Sequence, residues 1–561
     1  LRNLFRSNPA ERSPAGRSPI AVALISAILL VAIYNGRFWS ETFALQQPGS
    51  VRDGLFVASL FIVLVAVHAS ALLLIPGTRL LKGFLVFAAL AGAISAYFAN
   101  TYGAGIDTEM IRNTVQTDAR EAAGLMTVRF GLYMVFLFMV PAIIVLRTRI
   151  ASPPLGRQIL QRTGVIAASL AVCGIVVATM GAQYASFLRE HKALRYLIAP
   201  GNVINGGVGY FRHGSTTVAA SEITDLESPV SRTAPAGKKP LVMFLVIGET
   251  ARAQNFQLGG YPRATNPALA QRGVDYFTNA YSCGTSTAVS LPCMFSGSGR
   301  KDFDAARAAR GTNLLDALAK AGIAVQWRDN NSGCKGICAR VPSVDYRETS
   351  SAAFCNAAGC YDEVMLEDLP QALAQLTTDT VIVFHQAGSH GPAYSQRYPK
   401  AFEVFKPVCY GNELSRCARD EVVNAYDNSL LYTDHNVARQ IDALKSAAAK
   451  VDALLLYVSD HGESLGEKGL YLHGAPYMFA PDEQKRVPLL LWMSAEYRKR
   501  FGISPGCVQG RKADAVSHDN LYHTVLGAVG VKSARYDPQL DMLAACRVAG
   551  SAAGGDLVGL R

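Results

Sequence analysis

The chain has 561 residues, 50% of them apolar and only 17% charged, with a formal net charge of +11. Its mean hydropathy of +0.17 excludes a disordered chain and is too high for an ordinary soluble protein. Fifteen basic against seven acidic residues precede residue 185 and supply +8 of the charge, so the remainder lacks the basic stripe that a nucleic-acid binder needs.

Five apolar runs come first, at about 18–34, 54–75, 80–100, 124–146 and 164–183, and approach or reach the ~20 residues that a helix needs to cross a bilayer. They predict a five-span helical transmembrane domain over residues 1–184. No small-residue cleavage site follows Ile33-Tyr34, which favours an uncleaved anchor over a removable signal peptide. Leu1 stands where a methionine would begin a chain, so the natural start is left open. Arg2, Arg6, Arg12 and Arg17, then Arg79 and Lys82, then Arg147, Arg149, Arg157 and Arg162 alternate with loops that hold only Arg37, Arg52, Arg112 and Arg120. Basic loops stay inside, so the N-terminus is expected in the cytoplasm and everything after the fifth run outside it. Apart from His68 and Arg129 the runs offer almost no ionisable groups, which argues against a transporter or sensor.

Cysteine usage points the same way. Cys173 lies in the fifth run, where it packs as a small apolar residue, and the other ten cysteines all lie in the exported part. Proximity suggests Cys283 with Cys293, Cys334 with Cys338, Cys355 with Cys360, Cys409 with Cys417, and Cys507 with Cys546 by elimination. A zinc–thiolate site is the competing reading, and an oxidising compartment favours disulfides.

Residues 185–210 mix aromatic, aliphatic and basic side chains at helical spacing, as an interfacial element or a plain linker helix would. Residues 215–240 are rich in Ser, Thr, Pro and charge, so 185–240 is expected to join the membrane part to a domain over 241–561. That domain opens on Leu241-Val242-Met243-Phe244-Leu245-Val246-Ile247, an apolar run suited to a strand buried on both faces. Similar runs at 323–327, 380–384 and 453–458 alternate with helical stretches, which predicts an α/β fold with a mainly parallel sheet. Ligands bind such sheets at the carboxyl ends of their strands. Glu249, His385, Asp460 and His461 stand there.

Two carboxylates and an imidazole form a plausible metal set, although each alone is more often a cap or a structural residue. The loop from Cys283 to Cys293 carries Thr285, Ser286, Thr287 and Ser290 between its cysteines, any of which could serve as a nucleophile if a base or metal activated it. Ser290-Leu291-Pro292-Cys293 resembles a sulfatase nucleophile motif, but Met294 stands where an arginine belongs and that reading is set aside. His390, His473 and Lys335 are further candidates for metal or phosphate contact, Lys335 having an equal claim to be a solvated loop residue.

Taken together, Gly248-Glu249-Thr250-Ala251-Arg252-Ala253, Asn255-Phe256, Gly260-Tyr261, Thr265-Asn266-Pro267 and the Cys-Gly-Thr-Ser-Thr loop through Ser296 resemble the membrane phosphoethanolamine transferases that modify lipid A. The likeness continues in Arg328-Asp329-Asn330-Asn331-Ser332-Gly333-Cys334-Lys335-Gly336, in Gly388-Ser389-His390-Gly391-Pro392 and in Ser459-Asp460-His461-Gly462-Glu463-Ser464-Leu465-Gly466-Glu467. It implies an alkaline-phosphatase-like catalytic domain beneath which five spans sit in a Gram-negative inner membrane. Thr287, the second threonine of its pattern, would be the catalytic residue, with Glu249, Thr287, Asp460 and His461 holding one zinc. His390 and His473 would contact a second metal or the phosphoryl group, and Lys335, Ser332, Asn113, Thr117 and Glu121 the substrate. The role of His385 is left open. The implied activity moves phosphoethanolamine from phosphatidylethanolamine to lipid A through a phosphoethanolamine-threonine, in a monomer, and lowers polymyxin susceptibility. A core sugar or periplasmic glycan as acceptor, or a related phosphodiesterase or glycerol-phosphate transferase, is the alternative.

Overall fold

The computed structural model describes residues 16–46, 50–117, 119–213, 223–235, 237–356 and 359–547, except the side chains of 119–121, 213 and 505. Arg2, Arg6, Arg12, the linker residues 215–222 and 236, and the side chain of Glu121 lie outside the described residues. By internal packing the chain forms two compact units, Leu1–Asp107 with Met126–Asn205, and Thr108–Leu125 with Gly206–Arg561.

The first unit is helical. Val51–Leu74, Thr78–Tyr102, Val128–Arg147 and Leu155–Glu190 are long and apolar enough to cross a membrane, and Pro19–Ile33 with Gly36–Gln46 makes a fifth if that pair, bent by 62°, is one span. The last helix has 36 residues and so overruns the expected 164–183 at both ends. It leaves Leu170 65% and Ile175 64% exposed, a surface that lipid tolerates and water does not. Cys173 is an unpaired, half-buried residue of the same helix.

The second unit is built on a seven-stranded sheet. In chain order its strands are β1 (Leu241–Gly248), β2 (Asp275–Phe277), β3 (Ala324–Asp329), β4 (Ser343–Asp345), β5 (Thr380–His385), β6 (Asp452–Ser459) and β7 (Leu489–Met493). They lie in the order β2-β7-β6-β1-β5-β3-β4. The run from β6 to β4 is parallel, and β7 and β2 are added antiparallel at one edge. The strands β2, β4 and β7 were not legible in the sequence.

Alternation along β1 shows why its run is unbroken. Leu241, Met243, Leu245 and Ile247 enter the core on one face, where the helix His518–Ala528 packs, while Val242, Phe244 and Val246 enter the core on the other, beneath Arg419–Ser446. Five disulfides join Cys283–Cys293, Cys334–Cys338, Cys355–Cys360, Cys409–Cys417 and Cys507–Cys546.

Register then delivers the chemistry. Ile247 of β1 lies opposite Val458 of β6 and His385 of β5, and Asp329 of β3 opposite His385, so all four strands stop at one edge. The next residues of each strand, among them Glu249, Asp460 and Asn331, are therefore neighbours. Gly388 closes over Glu249 with φ +51, and a Cβ there would lie 2.6 Å from the Glu249 carbonyl oxygen and 2.9 Å from its nitrogen. Gly388→Ala is therefore expected to lower stability by roughly 1–3 kcal/mol and to impair activity by displacing Glu249. Thermal unfolding of the full chain checks this, and an unchanged midpoint would contradict it.

Candidate active site and metal centre

Glu249, Asp460 and His461 are fully buried at the strand ends, and their ligating atoms lie within 4.8 Å of one another. His461 Nε2 is 3.3 Å from both Glu249 Oε1 and Asp460 Oδ2. Its Nδ1 faces the Gly462 carbonyl at 2.9 Å, which fixes the proton on Nδ1 and turns the Nε2 lone pair toward the carboxylates. Asp460 Oδ1 accepts the backbone N–H groups of Thr250 and His461, whereas Oδ2 is buried and accepts no hydrogen bond.

Burial and the neighbouring Glu249 charge push the Asp460 carboxyl up to about 7. Burial also works against ionised Glu249, but the hydrogen bond and charge of His461 outweigh it and hold that carboxyl well below its usual range. For His461 burial opposes the cation, and the two carboxylates prevail and raise it to about 10. Two carboxylates thus share one imidazole where all three side chains are buried from bulk solvent. The unused Asp460 oxygen, the oriented Nε2 and this excess of negative charge are the donor set of a divalent cation, and the residues fit one.

The hydroxyl loop separates its candidates. Thr287 Oγ1 donates to Glu249 Oε2 at 3.1 Å and lies 3.5 Å from His461 Nε2. Thr285 Oγ1 donates instead to the Ala475 carbonyl at 2.7 Å, and Ser290 Oγ accepts the Gly284 N–H at 3.0 Å. Ser286 Oγ is buried without a hydrogen-bond partner. Thr287 is the first residue of the helix Thr287–Ser296, where the end of the helix dipole favours an anion. The Cys283–Cys293 disulfide ties the start of this loop to the helix Thr287–Ser296.

His390 and His473 stand over this group, with ring centres 5.2 Å apart and that of His473 4.3 Å from that of His461. Both direct Nδ1 to an acceptor, His390 to the Gly391 carbonyl at 2.7 Å and His473 to Glu463 Oε2 at 2.9 Å. Burial and then the charge of His461 lower the His473 pKa, so it stays neutral. Lys335 Nζ donates to Ser332 Oγ at 2.9 Å and to the Gln116 carbonyl at 3.2 Å. Asn113 and Thr117, on and just after the helix Thr108–Gln116, share that segment, and Thr117 Oγ1 donates to the Asn113 carbonyl at 2.7 Å. His385 lies apart from the cluster: its Nδ1 pairs with Asp329 Oδ2 at 3.0 Å and its buried Nε2 has no hydrogen-bond partner.

Three residues of this architecture escaped sequence reasoning. Asn331 donates to Glu249 Oε2 at 2.7 Å, and Glu463 holds His473 and accepts from Tyr394. His518 is the least expected. Buried at the start of its helix, it accepts the Cys283 N–H on Nδ1 at 3.0 Å and so donates from Nε2 to the Ser459 carbonyl at 2.9 Å. It bridges the hydroxyl loop to the strand end that carries Asp460. Asn331 and Glu463 lay inside quoted motifs as acid and amide neighbours of the ligands, whereas nothing near His518 in sequence marks it.

Fold and site together define a membrane-anchored enzyme of the superfamily that contains the sulfatases and alkaline phosphatases. A sulfatase family model matches residues 242–531, and the family model described as phosphoethanolamine transferase EptA/EptB matches residues 61–214. Phosphoethanolamine transferase EptA of Salmonella typhimurium is 38% identical over 530 residues, covering 93% of this chain and 96% of that protein. Phosphatidylethanolamine transferase Mcr-1 of Escherichia coli is 38% identical over 512 residues, covering 89% and 93%. The structure of the integral membrane lipooligosaccharide phosphoethanolamine transferase A (EptA) from Neisseria meningitidis superposes with a TM-score of 0.89 at 34% identity, over 94% of this chain and 98% of that one. The chain belongs to the phosphoethanolamine transferase family.

The His518 bridge makes a pH-dependent claim. Burial pushes the imidazole from its ordinary 6.5 down to about 3, against the pull of the Ser459 carbonyl. A base depressed in the folded state stabilises the fold above its unfolded pKa, and that contribution is lost as pH falls from about 6.5 toward 3. The expected loss is about 1.4 kcal/mol per pH unit in this window. His518→Gln, which keeps a donor for Ser459 but does not titrate, should flatten it. Denaturant midpoints at pH 7 and pH 4.5 compare the two; equal acid sensitivity would contradict the assignment.

Proposed function

We propose that this protein transfers phosphoethanolamine from phosphatidylethanolamine to lipid A through a covalent phosphoethanolamine on Thr287, on the periplasmic side of a Gram-negative inner membrane. The observation that carries the reading is the Thr287 hydroxyl, bonded to Glu249 at a helix N-terminus beside the Asp460–His461 pair. Five disulfides in the catalytic unit support an oxidising compartment, and the exposed apolar helices support the membrane.

Glu249, Asp460, His461 and the Thr287 oxygen would hold a zinc ion, which supplies Lewis acidity to lower the pKa of the hydroxyl. Glu249 orients the hydroxyl and Asn331 keeps Glu249 in place. Attack by Thr287 Oγ1 on the donor phosphorus forms the oxygen–phosphorus bond as the bond to the diacylglycerol oxygen breaks, and that oxygen leaves with the proton that Thr287 gives up. The helix N-terminus, Lys335, His390 and His473 stabilise charge on the phosphoryl oxygens, the usual dominant contribution in phosphoryl transfer. Asn113, Thr117, Glu121 and Ser332 would contact the substrate. A lipid A phosphate then takes the group and Thr287 is regenerated.

Both substrates keep their acyl chains in the bilayer, because exposing them costs about 0.8 kcal/mol per CH₂. A catalytic unit tethered to apolar helices meets them at that surface. Each transfer adds an ammonium to an anionic lipid and so weakens attraction for polycations such as polymyxin.

Thr287→Ala is expected to lower transfer by on the order of 10³-fold or more with the fold preserved, while Thr285→Ala retains substantial activity. Mass spectrometry of lipid A from expressing cells reads both; modification by the first variant at the parental rate would refute the nucleophile. Exhaustive chelation should abolish transfer and zinc should restore it, and undiminished turnover by the metal-free protein would refute the zinc role.

A further inference from the structure

A cavity of about 370 Å³ opens in the catalytic unit, lined among others by Asn331, Ser332, His390, Arg347, Gln396 and Arg397. Asn331 is bonded to Glu249 and His390 stacks edge-on against His473, so one wall belongs to the reacting centre. The lining also carries the guanidinium groups of Arg347 and Arg397, and no carboxylate lines the cavity among the described residues. Arg397 is anchored by its Nε, which donates to the His390 carbonyl at 2.8 Å. Arg347 is braced by Asp345, with Nε 3.0 Å from Oδ1 and Nη2 2.6 Å from Oδ2.

Past Arg347 a second hollow of about 560 Å³ continues, sharing Arg347, Gly359 and Cys360 with the first. Its other lining residues include Thr349, Ser350, Ser351 and Asn356, with the disulfide-linked Cys355 and Cys360 beside them. Hydroxyl and amide groups both donate and accept, which suits a polyhydroxylated ring. Guanidinium groups disfavour the ammonium of an ethanolamine headgroup and attract a phosphate through charge-assisted hydrogen bonds.

We propose that the two hollows form the acceptor subsite for a phosphorylated sugar, with Arg347 and Arg397 binding its phosphate and the Thr349–Ser351 and Asn356 hollow receiving its ring. The assignment rests on the double displacement at Thr287. A phosphate oxygen of the acceptor forms the new P–O–P bond as the bond from Thr287 Oγ1 to phosphorus breaks. The proton of the acceptor's monoprotonated phosphate passes to Thr287.

The test separates the two half-reactions of the full chain in detergent: release of diacylglycerol from phosphatidylethanolamine without acceptor, and transfer to purified lipid A. Arg347→Gln is expected to raise the acceptor KM roughly tenfold or more and to leave the diacylglycerol burst intact, with Arg347→Lys between it and the parent. Lipid A stripped of its phosphates should bind parent and Arg347→Gln equally weakly. A burst that falls in step with transfer would place the cavity on the donor side and overturn the assignment. An intact burst with unchanged acceptor KM would overturn the subsite alone, whereas a parent with no burst would overturn the double displacement beneath it.

Discussion

The catalytic unit is organised around the cost of burying two carboxylates side by side. Glu249 and Asp460 follow neighbouring parallel strands, and each is sealed from water. Neither position is tenable for an isolated charge. His461, the backbone N–H groups that meet Asp460 Oδ1, and the Asn331 amide that meets Glu249 satisfy part of the demand. What they leave is one oxygen and one negative charge too many, a demand that a divalent cation would meet. A fold that keeps such a defect keeps it for chemistry.

The same constraint explains why the site sits where the sheet ends. Strands buried on both faces must be apolar throughout, so polar side chains enter only where the ladder stops. The register of β6, β1, β5 and β3 makes all four stop together. Asp460, Glu249 and Asn331 are therefore gathered by backbone pairing alone, before any side-chain contact is made.

This is also why so much could be read from the chain. Apolar runs announced β1, β3, β5 and β6 together with the helices of the first unit, and the residue after each strand announced the centre. Chemistry that depends on a register between distant segments left less trace. The strand Leu489–Met493 is a short apolar run like many others, and its antiparallel pairing with β6 follows from the path of the chain. His518 lies 58 residues beyond Asp460, and only the helix it begins brings it against Ser459 and Cys283. Among the hydroxyls of the Cys283–Cys293 loop, spacing could not distinguish Thr285 from Thr287. Their separation is geometric: one turns to the Ala475 carbonyl and the other to Glu249.

The disulfide between Cys283 and Cys293 spans the loop that carries Thr287. A newly made chain in a reducing compartment has no such brace, and its hydroxyl loop is free to wander from the carboxylates. On the proposed function, oxidation would act as a maturation step for Thr287, one that arrives together with export. An enzyme that takes its transferred group from the cell's own phospholipid would thus be assembled harmless and armed only on the far side of the membrane.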